Sequence, residues 1–399
     1  MTRRMLTGAA VAAIAATALL VGGSLRAGHD EASSTPTNQL VRAGLEEQAL
    51  ARRTGEPTHY TRSEQALRRA LAQDPNDVRA LIGLAALANT QHHFREGLAL
   101  ARRLQRAAPD IALVYGVMGD ALIELGRHGA GFRAYERMAT LKPSIAAYAR
   151  IAHARSLLGD REGARAAIEL ALDSAVDGET RAWAFVELGR LDRAELRLVA
   201  AAEHFRRALA VSPGNPLALE ALGETEAARG NLRRAIALQR QAVERRFSPE
   251  FAAQLGDLYA VAGKRKAAAR AYELVPRQEQ RLAENGVDTD VDKAMFQLEH
   301  GIDLRGSLLL ARRGYAKRPG TEASEVLSWA LVRNGRCEEA VRYSNQALRF
   351  PDGHRYFHRG MIERCLGRQP AAKQLFRKAL ATDPNFSPIW ARFARAQLR

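Results

Sequence analysis

The sequence predicts an all-α fold, an α-solenoid of about ten stacked helix pairs that ends in a capping helix. Three observations predict it. Pro75, Pro109 and Pro143 are spaced 34 residues apart. The stretch before each proline repeats the same order of large and small residues, and no alternating apolar and polar run indicates a strand. A period near 34 residues is typical of repeated helix–turn–helix units.

The clearest unit runs from residue 112 to residue 143. Its large residues fall on one helical stripe: Tyr115, Met118, Leu122 and Tyr135. The small residues Gly119 and Gly131 would let the paired helices approach closely. Gly126 supplies the turn between the helices, and Pro143 ends the second helix. The unit therefore predicts two antiparallel helices joined by a short turn.

The same order returns along the chain, for example at Leu188-Gly189, Leu222-Gly223 and Leu255-Gly256. It resembles the tetratricopeptide repeat (TPR) family, whose unit runs W-x2-L-G-x2-Y, then G, A, F/Y, A and P. The resemblance spans residues 38–386, with residues 387–399 in the register of a first helix that caps the last repeat. It implies a right-handed solenoid that binds proteins and has no catalytic site.

The repeats depart from the pattern in three places. Leu196 stands where the turn glycine is expected, and about three extra residues lie near Asp177-Gly178. A larger insertion covers residues 276–287, where we expect the second helix to continue past a kink at Pro276 and to stop at Asn285-Gly286. Insertions of this kind bend a superhelix or carry a contact.

The N-terminus differs from the repeats. Arg3 and Arg4 precede an uncharged apolar stretch from Met5 to Leu25. Residues 1–27 are therefore expected to be either a cleaved secretory signal or a retained membrane anchor of a bacterial protein, and residues 28–37 a linker. Because the basic side precedes the apolar stretch, the repeats are expected outside the cytoplasm, secreted, periplasmic or anchored.

Composition and motifs argue against several functions. The net charge of +16 suggests nucleic acid, but the expected export and the lack of a nucleic-acid motif argue against it. No Gly-rich phosphate loop, GxSxG elbow or cysteine nucleophile setting occurs, so we expect no enzyme and no cofactor. Two weak metal patterns do not lead to a predicted metal site. Asp288-x-Asp290-x-Asp292 has Lys293 where a calcium loop needs Gly, and His354 and His358 have no third ligand.

In the TPR family the first helix of each repeat lines a concave groove, so the resemblance implies partner-binding residues there. The polar candidates are Asp120, His153, Arg190, Arg193, Glu220, Glu224, Asp257 and Glu299. The apolar candidates are Trp183, Phe296, Trp329, Phe357 and Met361. Each apolar candidate could instead be packing between adjacent repeats, and this alternative stays open.

The second helices carry basic clusters such as Arg102-Arg103, Arg233-Arg234 and Lys264-Arg265-Lys266. They suggest a basic outer shell around a mixed-to-acidic groove, although both could be ordinary solvated faces. The two cysteines, Cys337 and Cys365, fall at neighbouring helix ends of an antiparallel stack. They are candidates for a disulfide, and two buried free thiols are the alternative.

The sequence therefore predicts a non-catalytic scaffold of the cell envelope that holds a segment of a protein partner in its groove. The alternative is an envelope-binding or cation-handling protein. It would use the basic shell for anionic polymers or lipids, or the groove acids and histidines for metal.

Overall fold

The computed structural model describes residues 35–399, which fold as an all-helical solenoid, confirming the predicted fold class. The helices of the described residues are α1 (Pro36–Thr54), α2 (Thr58–Gln73), α3 (Val78–Thr90), α4 (Phe94–Ala107), α5 (Ala112–Glu124), α6 (His128–Leu141), α7 (Ile145–Leu158), α8 (Arg161–Asp173), α9 (Gly178–Ala194), α10 (Leu198–Val211), α11 (Pro216–Ala228), α12 (Leu232–Arg245), α13 (Pro249–Val261), α14 (Arg265–Tyr272), α15 (Leu274–Glu284), α16 (Asp290–His300), α17 (Leu304–Lys317), α18 (Thr321–Arg333), α19 (Cys337–Ala347), α20 (Gly353–Cys365), α21 (Gln369–Thr382) and α22 (Trp390–Ala396).

Close packing within each pair depends on small residues. A Cβ added at Gly119 would lie 2.4 Å from the ring of Tyr135, and one at Gly131 would lie 2.6 Å from Ile123. The first helix α5 is apolar on nearly all sides because it is covered by its own partner and by both neighbouring repeats. The predicted role of the two glycines is therefore seen directly in the pair α5–α6.

The turns between paired helices use left-handed backbone. Gly126 has φ of 74°, and Leu196 takes the same region with φ of 60° although it carries a side chain. His92 does so as well, with φ of 64°. The departure at Leu196 is therefore accommodated by strain at one residue rather than by a different turn.

The insertion at residues 276–287 extends a second helix. Helix α14 ends at Tyr272, α15 begins at Leu274, and Gly286 with φ of 82° follows its end. The break falls at Glu273, so Pro276 lies in the first turn of α15, where its missing N–H costs no hydrogen bond. A helix break at this place and a stop at Asn285-Gly286 agree with the expectation.

The solenoid turns back on itself, so that distant repeats meet. We call this contact the closing seam; it joins residues 52–61, 91–95 and 124–132 to residues 246–247, 281–292, 316–321 and 350. Asp288 N–H donates to Gln91 O at 2.9 Å, and Phe247 N–H donates to Thr54 O at 2.9 Å. The inserted segment thus carries a contact, and the repeats form a closed rather than an open coil.

The described helices contain no segment with the length and apolar character needed to cross a membrane. The predicted signal or anchor at residues 1–27 and the linker up to residue 34 lie outside the described residues.

Candidate functional site

Three first helices of successive repeats, α9, α11 and α13, present paired charges on one side. Arg193 Nη1 lies 2.6 Å from Glu224 Oε2, and Gln254 Nε2 donates to Glu224 Oε1 at 3.2 Å. Arg190 lies 2.6 Å from Glu187 and 4.0 Å from Glu220. We call this set, with its continuation below, the polar ladder. The structure brings together four of the predicted groove residues here.

The ladder continues through Asp257. Its Oδ1 accepts from Tyr272 Oη at 2.8 Å and lies 2.8 Å from His300 Nε2. Burial alone would lower the pKa of His300, but the hydrogen bond to Asp257 raises it. The ring of Phe296, another predicted groove residue, packs 4.5 Å from the ring of His300 and holds it in place. Asp257 is therefore already engaged by the protein itself.

A second buried cluster lies further along. His358 Nε2 lies 3.3 Å from Glu299 Oε1, and its Nδ1 lies 3.2 Å from Glu325 Oε1. Arg355 Nε donates to Glu325 at 2.8 Å. Burial would lower the pKa of His358, but its hydrogen bonds to the two glutamates raise it to about 9. The histidine is thus a cation at neutral pH and belongs to an ion-pair network.

One acid of the ladder, Glu220, has a raised pKa. Its side chain is buried, and burial together with the neighbouring charge of Glu224 raises its pKa to about 8, against the opposing pull of Arg190 and Arg193. A neutral Glu220 at pH 7 can donate as well as accept a hydrogen bond. The protonation state of the Glu220 carboxyl should therefore change with pH near neutrality.

A cavity of about 330 Å³ lies beside the ladder, and we call it the groove cavity. Its walls come from helices α9 to α13 on one side and from the C-terminal segment on the other. The polar lining residues are Arg193, Glu224, Gln239, Gln254, Asp257, His354, Asp383, Asn385, Ser387, Arg392 and Arg395. The fully buried Gln239 donates to Phe251 O at 3.1 Å, and its Oε1 has no hydrogen-bond partner within residues 35–399.

Other predicted groove residues lie elsewhere. Asp120 is buried in a bidentate pair with Arg150, at 2.9 and 2.7 Å, and accepts from Tyr135 at 2.9 Å. Near this pair, burial lowers the pKa of His153 to about 4. Asp120 therefore binds one repeat to the next, and burial keeps His153 neutral at pH 7.

The apolar candidates are mostly packing residues. Trp329 and Phe357 are 0% exposed and lie in one aromatic cluster with Trp390 of the capping helix. Met361 is half-buried against the same core. Trp329 and Phe357 therefore pack in the core of the last repeats, as the alternative interpretation of the apolar candidates has it. Trp183 is 6% exposed and lines a different cavity, described below.

Sequence reasoning missed one wall of the groove cavity. Asp383, Arg392 and Arg395 belong to the C-terminal end, and His354 was considered only for metal. The groove cavity thus brings parts of the chain more than about ninety residues apart to the same place. No signal in the repeat period could have indicated it, because the period describes neighbouring repeats only.

Neither of the two weak metal-binding patterns, at Asp288–Asp292 and at His354 and His358, forms a metal site in residues 35–399. Within residues 35–399, no three histidine, cysteine or acidic side chains lie close enough to hold a metal ion. Asp290 is instead bound by Arg313 at 2.6 Å and Lys317 at 2.8 Å. Cys337 and Cys365 form a disulfide in the structure, with their Cα atoms 6.1 Å apart.

Comparisons with known proteins agree with the repeat pattern. Residues 179–250, which include helices α10, α11 and α12 and all but the first residue of α9, match the family model for the tetratricopeptide repeat. No sequence among the curated proteins matches the chain.

Solved structures of similar fold come from several organisms. A TPR protein of Thermus thermophilus is 21% identical, with 48% of this chain and 98% of that chain covered and a TM-score of 0.42. A TPR protein of Parabacteroides merdae is 16% identical, covering 64% and 98%, with a TM-score of 0.37. Human IFIT1, solved as a dimer with m7Gppp-AAAA, is 16% identical, covering 84% and 76%, with a TM-score of 0.51. At these identities the likeness concerns the fold.

Proposed function

Because the chain carries tetratricopeptide repeats, we propose that it is a non-catalytic scaffold that holds a peptide segment of a partner protein in the groove cavity. The observation that carries the proposal is the lining of that cavity. It combines the paired charges of the polar ladder with the side-chain amides of Gln239 and Gln254. An extended peptide offers the N–H and C=O groups that such amides bind.

Two features favour a peptide over a smaller ligand. The unpartnered Oε1 of Gln239 can accept from a peptide N–H, which would remove the cost of leaving it buried and unsatisfied. Apolar side chains, among them Leu258, Val261 and Phe386, line the cavity together with the charged ones. This mixed lining suits a segment with apolar and charged side chains rather than a single small ion.

Photo-crosslinking tests the proposal in the full chain. A photoreactive phenylalanine analogue replaces Ala228, which lines the groove cavity, and in the matched control it replaces Leu309, which is exposed on α17. We expect a defined protein adduct from position 228 alone, and its loss when Glu224→Lys reverses one ladder charge. Purified partner should then bind the native chain and not the Glu224→Lys variant. Equal adducts from both positions would contradict groove binding.

We further propose that this scaffold works outside the cytoplasm, in the cell envelope. The support is Arg3-Arg4 followed by the apolar stretch from Met5 to Leu25, together with two cysteines that bond in the structure. Mass spectrometry of the mature N-terminus, with fractionation of cells, tests it. A start near residue 28 in a soluble extracytoplasmic fraction indicates a cleaved signal, an intact N-terminus in membranes indicates an anchor, and cytoplasmic recovery contradicts the proposal.

The basic shell supports a second candidate, binding to anionic polymers or lipids of the envelope. Arg102, Arg103, Arg233, Arg234 and Lys264 are all exposed on second helices or at their starts. Sedimentation with anionic vesicles should then weaken as salt rises. Vesicle binding that does not change with salt concentration would contradict a role of the basic shell in binding anions.

A further inference from the structure

A second cavity of about 330 Å³ lies apart from the groove cavity and shares none of its lining residues. We call it the arginine cavity. Its charged lining residues are Arg52, Arg53, Glu179, Arg245 and Arg246, and its apolar ones include Trp183, Val186 and Leu217. It sits where the end of helix α1 meets the loop before α11 and the end of α12. Four of the five charged residues are arginines, a lining that suits an anion.

The positive charge of Arg246 is only partly balanced by residues 35–399. Burial lowers the pKa of Arg246, and the nearby Tyr60 and Glu250 only partly offset this. Its guanidinium donates to Arg52 O at 2.7 Å, which is a carbonyl and carries no negative charge. The guanidinium of Arg245 packs on Gly214. A cation held this way gains from any bound anion.

The apolar wall adds a second observation. Trp183 is more than nine-tenths buried, and its indole N–H, a group that only donates, has no acceptor within residues 35–399. Buried indole N–H groups usually have a partner. Val186 and Leu217 line the same cavity as this ring. The cavity thus has both apolar and cationic lining residues.

The cavity spans the closing seam. Its α1 wall and its α12 wall are held together by Phe247 N–H donating to Thr54 O at 2.9 Å and by the Arg246 contact to Arg52. A ligand that touches both walls would bind only when these distant repeats are in contact. Binding would therefore stabilise the seam by mass action.

We propose that the arginine cavity binds a small phosphomonoester, free or as the headgroup of a lipid, with its phosphate among the arginines and its body on Trp183. Guanidinium groups bind phosphate through two parallel N–H···O bonds, and a phosphate dianion suits a lining that contains four arginines. The volume equals roughly ten water molecules, enough for glycerol phosphate but not for a polymer.

Calorimetric titration of the full chain with glycerol 3-phosphate tests the proposal, with glycerol as the uncharged control. Sedimentation with phosphatidylcholine vesicles, with and without phosphatidic acid, tests the lipid source. The site variant is Arg53→Gln with Arg245→Gln. The matched control is Arg155→Gln with Arg305→Gln, which removes the same charge from exposed positions outside both the arginine cavity and the basic clusters of the shell.

We expect binding of one of the two phosphates, weakened at least tenfold in the site variant and less than twofold in the control. Hydrogen exchange at residues 52–56 and 245–248 should slow on binding, because the ligand bridges the seam. Circular dichroism should show that both variants keep the helical content of the native chain. Absence of binding to either phosphate, or equal weakening in both variants, would overturn the proposal.

Discussion

Two buried arginines show how differently this solenoid treats neighbouring and distant repeats. Arg150, which is 0% exposed, joins adjacent repeats by a bidentate pair with Asp120. Arg318, 5% exposed, joins distant repeats and lies 3.4 to 3.6 Å from Glu124, Asp292 and Glu322. One contact has matched charges, whereas the other sets one cation against three acids.

The mismatch has a measurable consequence. Burial, with the charge of Glu322 and against that of Arg318, raises the pKa of Glu124 to about 8. Burial raises the pKa of Asp292 to about 6. The raised pKa values of the two acids predict that the closing seam takes up a proton when it forms, so that the closure of the stack should respond to pH.

The largest effect is expected at the adjacent contact. Arg150→Ala leaves Asp120 buried without its counterion and should lower the free energy of unfolding by about 3–5 kcal/mol. Chemical denaturation followed by circular dichroism measures it. The control is Arg155→Ala on the same helix. Arg155 forms an exposed ion pair with Asp160 at 3.7 Å, and its loss should lower the free energy of unfolding by no more than about 1 kcal/mol. Similar losses in both variants would show that the buried pair is not special.

The second contact between neighbouring repeats is covalent. The disulfide of Cys337 and Cys365 spans 28 positions, and closing such a loop should add about 3 kcal/mol to the stability of the last repeats. Replacing both cysteines by serine should lower the denaturation midpoint as much as reductant lowers it in the native chain. A midpoint that reductant leaves unchanged would contradict the bridge.

Contacts within each helix pair follow from the sequence, because the period gives every pair the same order of large and small positions. Gly119 against Tyr135 and the place of the turn at Leu196 were both predictable in this way. The break before Pro276 was predictable from the chemistry of proline. What the period describes is each repeat and its neighbour, and that part of the fold was anticipated.

The closing seam and one wall of the groove cavity could not be predicted. Gln91 donates to Asn285 O across 194 positions, and that meeting depends on the small rotation between repeats summed over many of them. The sequence also left open whether Trp329 binds a partner or packs in the core, since an aromatic side chain at a groove position looks the same in sequence whether it faces solvent or the capping helix. Sequence position gives the face of a helix but not what covers that face.

The distant contact should open before the stack melts. Arg318→Ala leaves three acids without their shared cation and should weaken the seam by about 2–3 kcal/mol near pH 7.5. Small-angle scattering should show a larger radius of gyration, while circular dichroism changes little. The control is Arg312→Ala, which removes an exposed arginine from α17, the helix that ends directly before Arg318. An unchanged radius would mean that the seam's backbone hydrogen bonds suffice to hold it closed.

The smallest effect is the seam's response to pH, and it separates the two regions most sharply. The carboxyl of Glu124 holds its proton in the closed state up to about pH 8, but in an open state it would release that proton near its ordinary pKa. Closing therefore binds a proton between those values, and the closed state loses stability as pH rises through this window. Between pH 7 and pH 8 the protection of the Asp288 amide, which donates to Gln91 O across the seam, should fall by up to about fivefold.

Between pH 7 and pH 8 the titration of His92, the seam group whose pKa shifts in the opposite direction, does not contribute to this response. Burial lowers the pKa of His92, which faces Asp288, Asp292 and Arg318, to about 4, so this ring is largely neutral in both states above pH 7. Glu124→Gln keeps the shape of the side chain and removes its proton equilibrium. Hydrogen exchange at the seam should then lose its slope with pH, while exchange in α7 around Arg150 has no such slope in either protein. A slope that survives Glu124→Gln would assign the proton to another seam acid, Asp292 or Glu322.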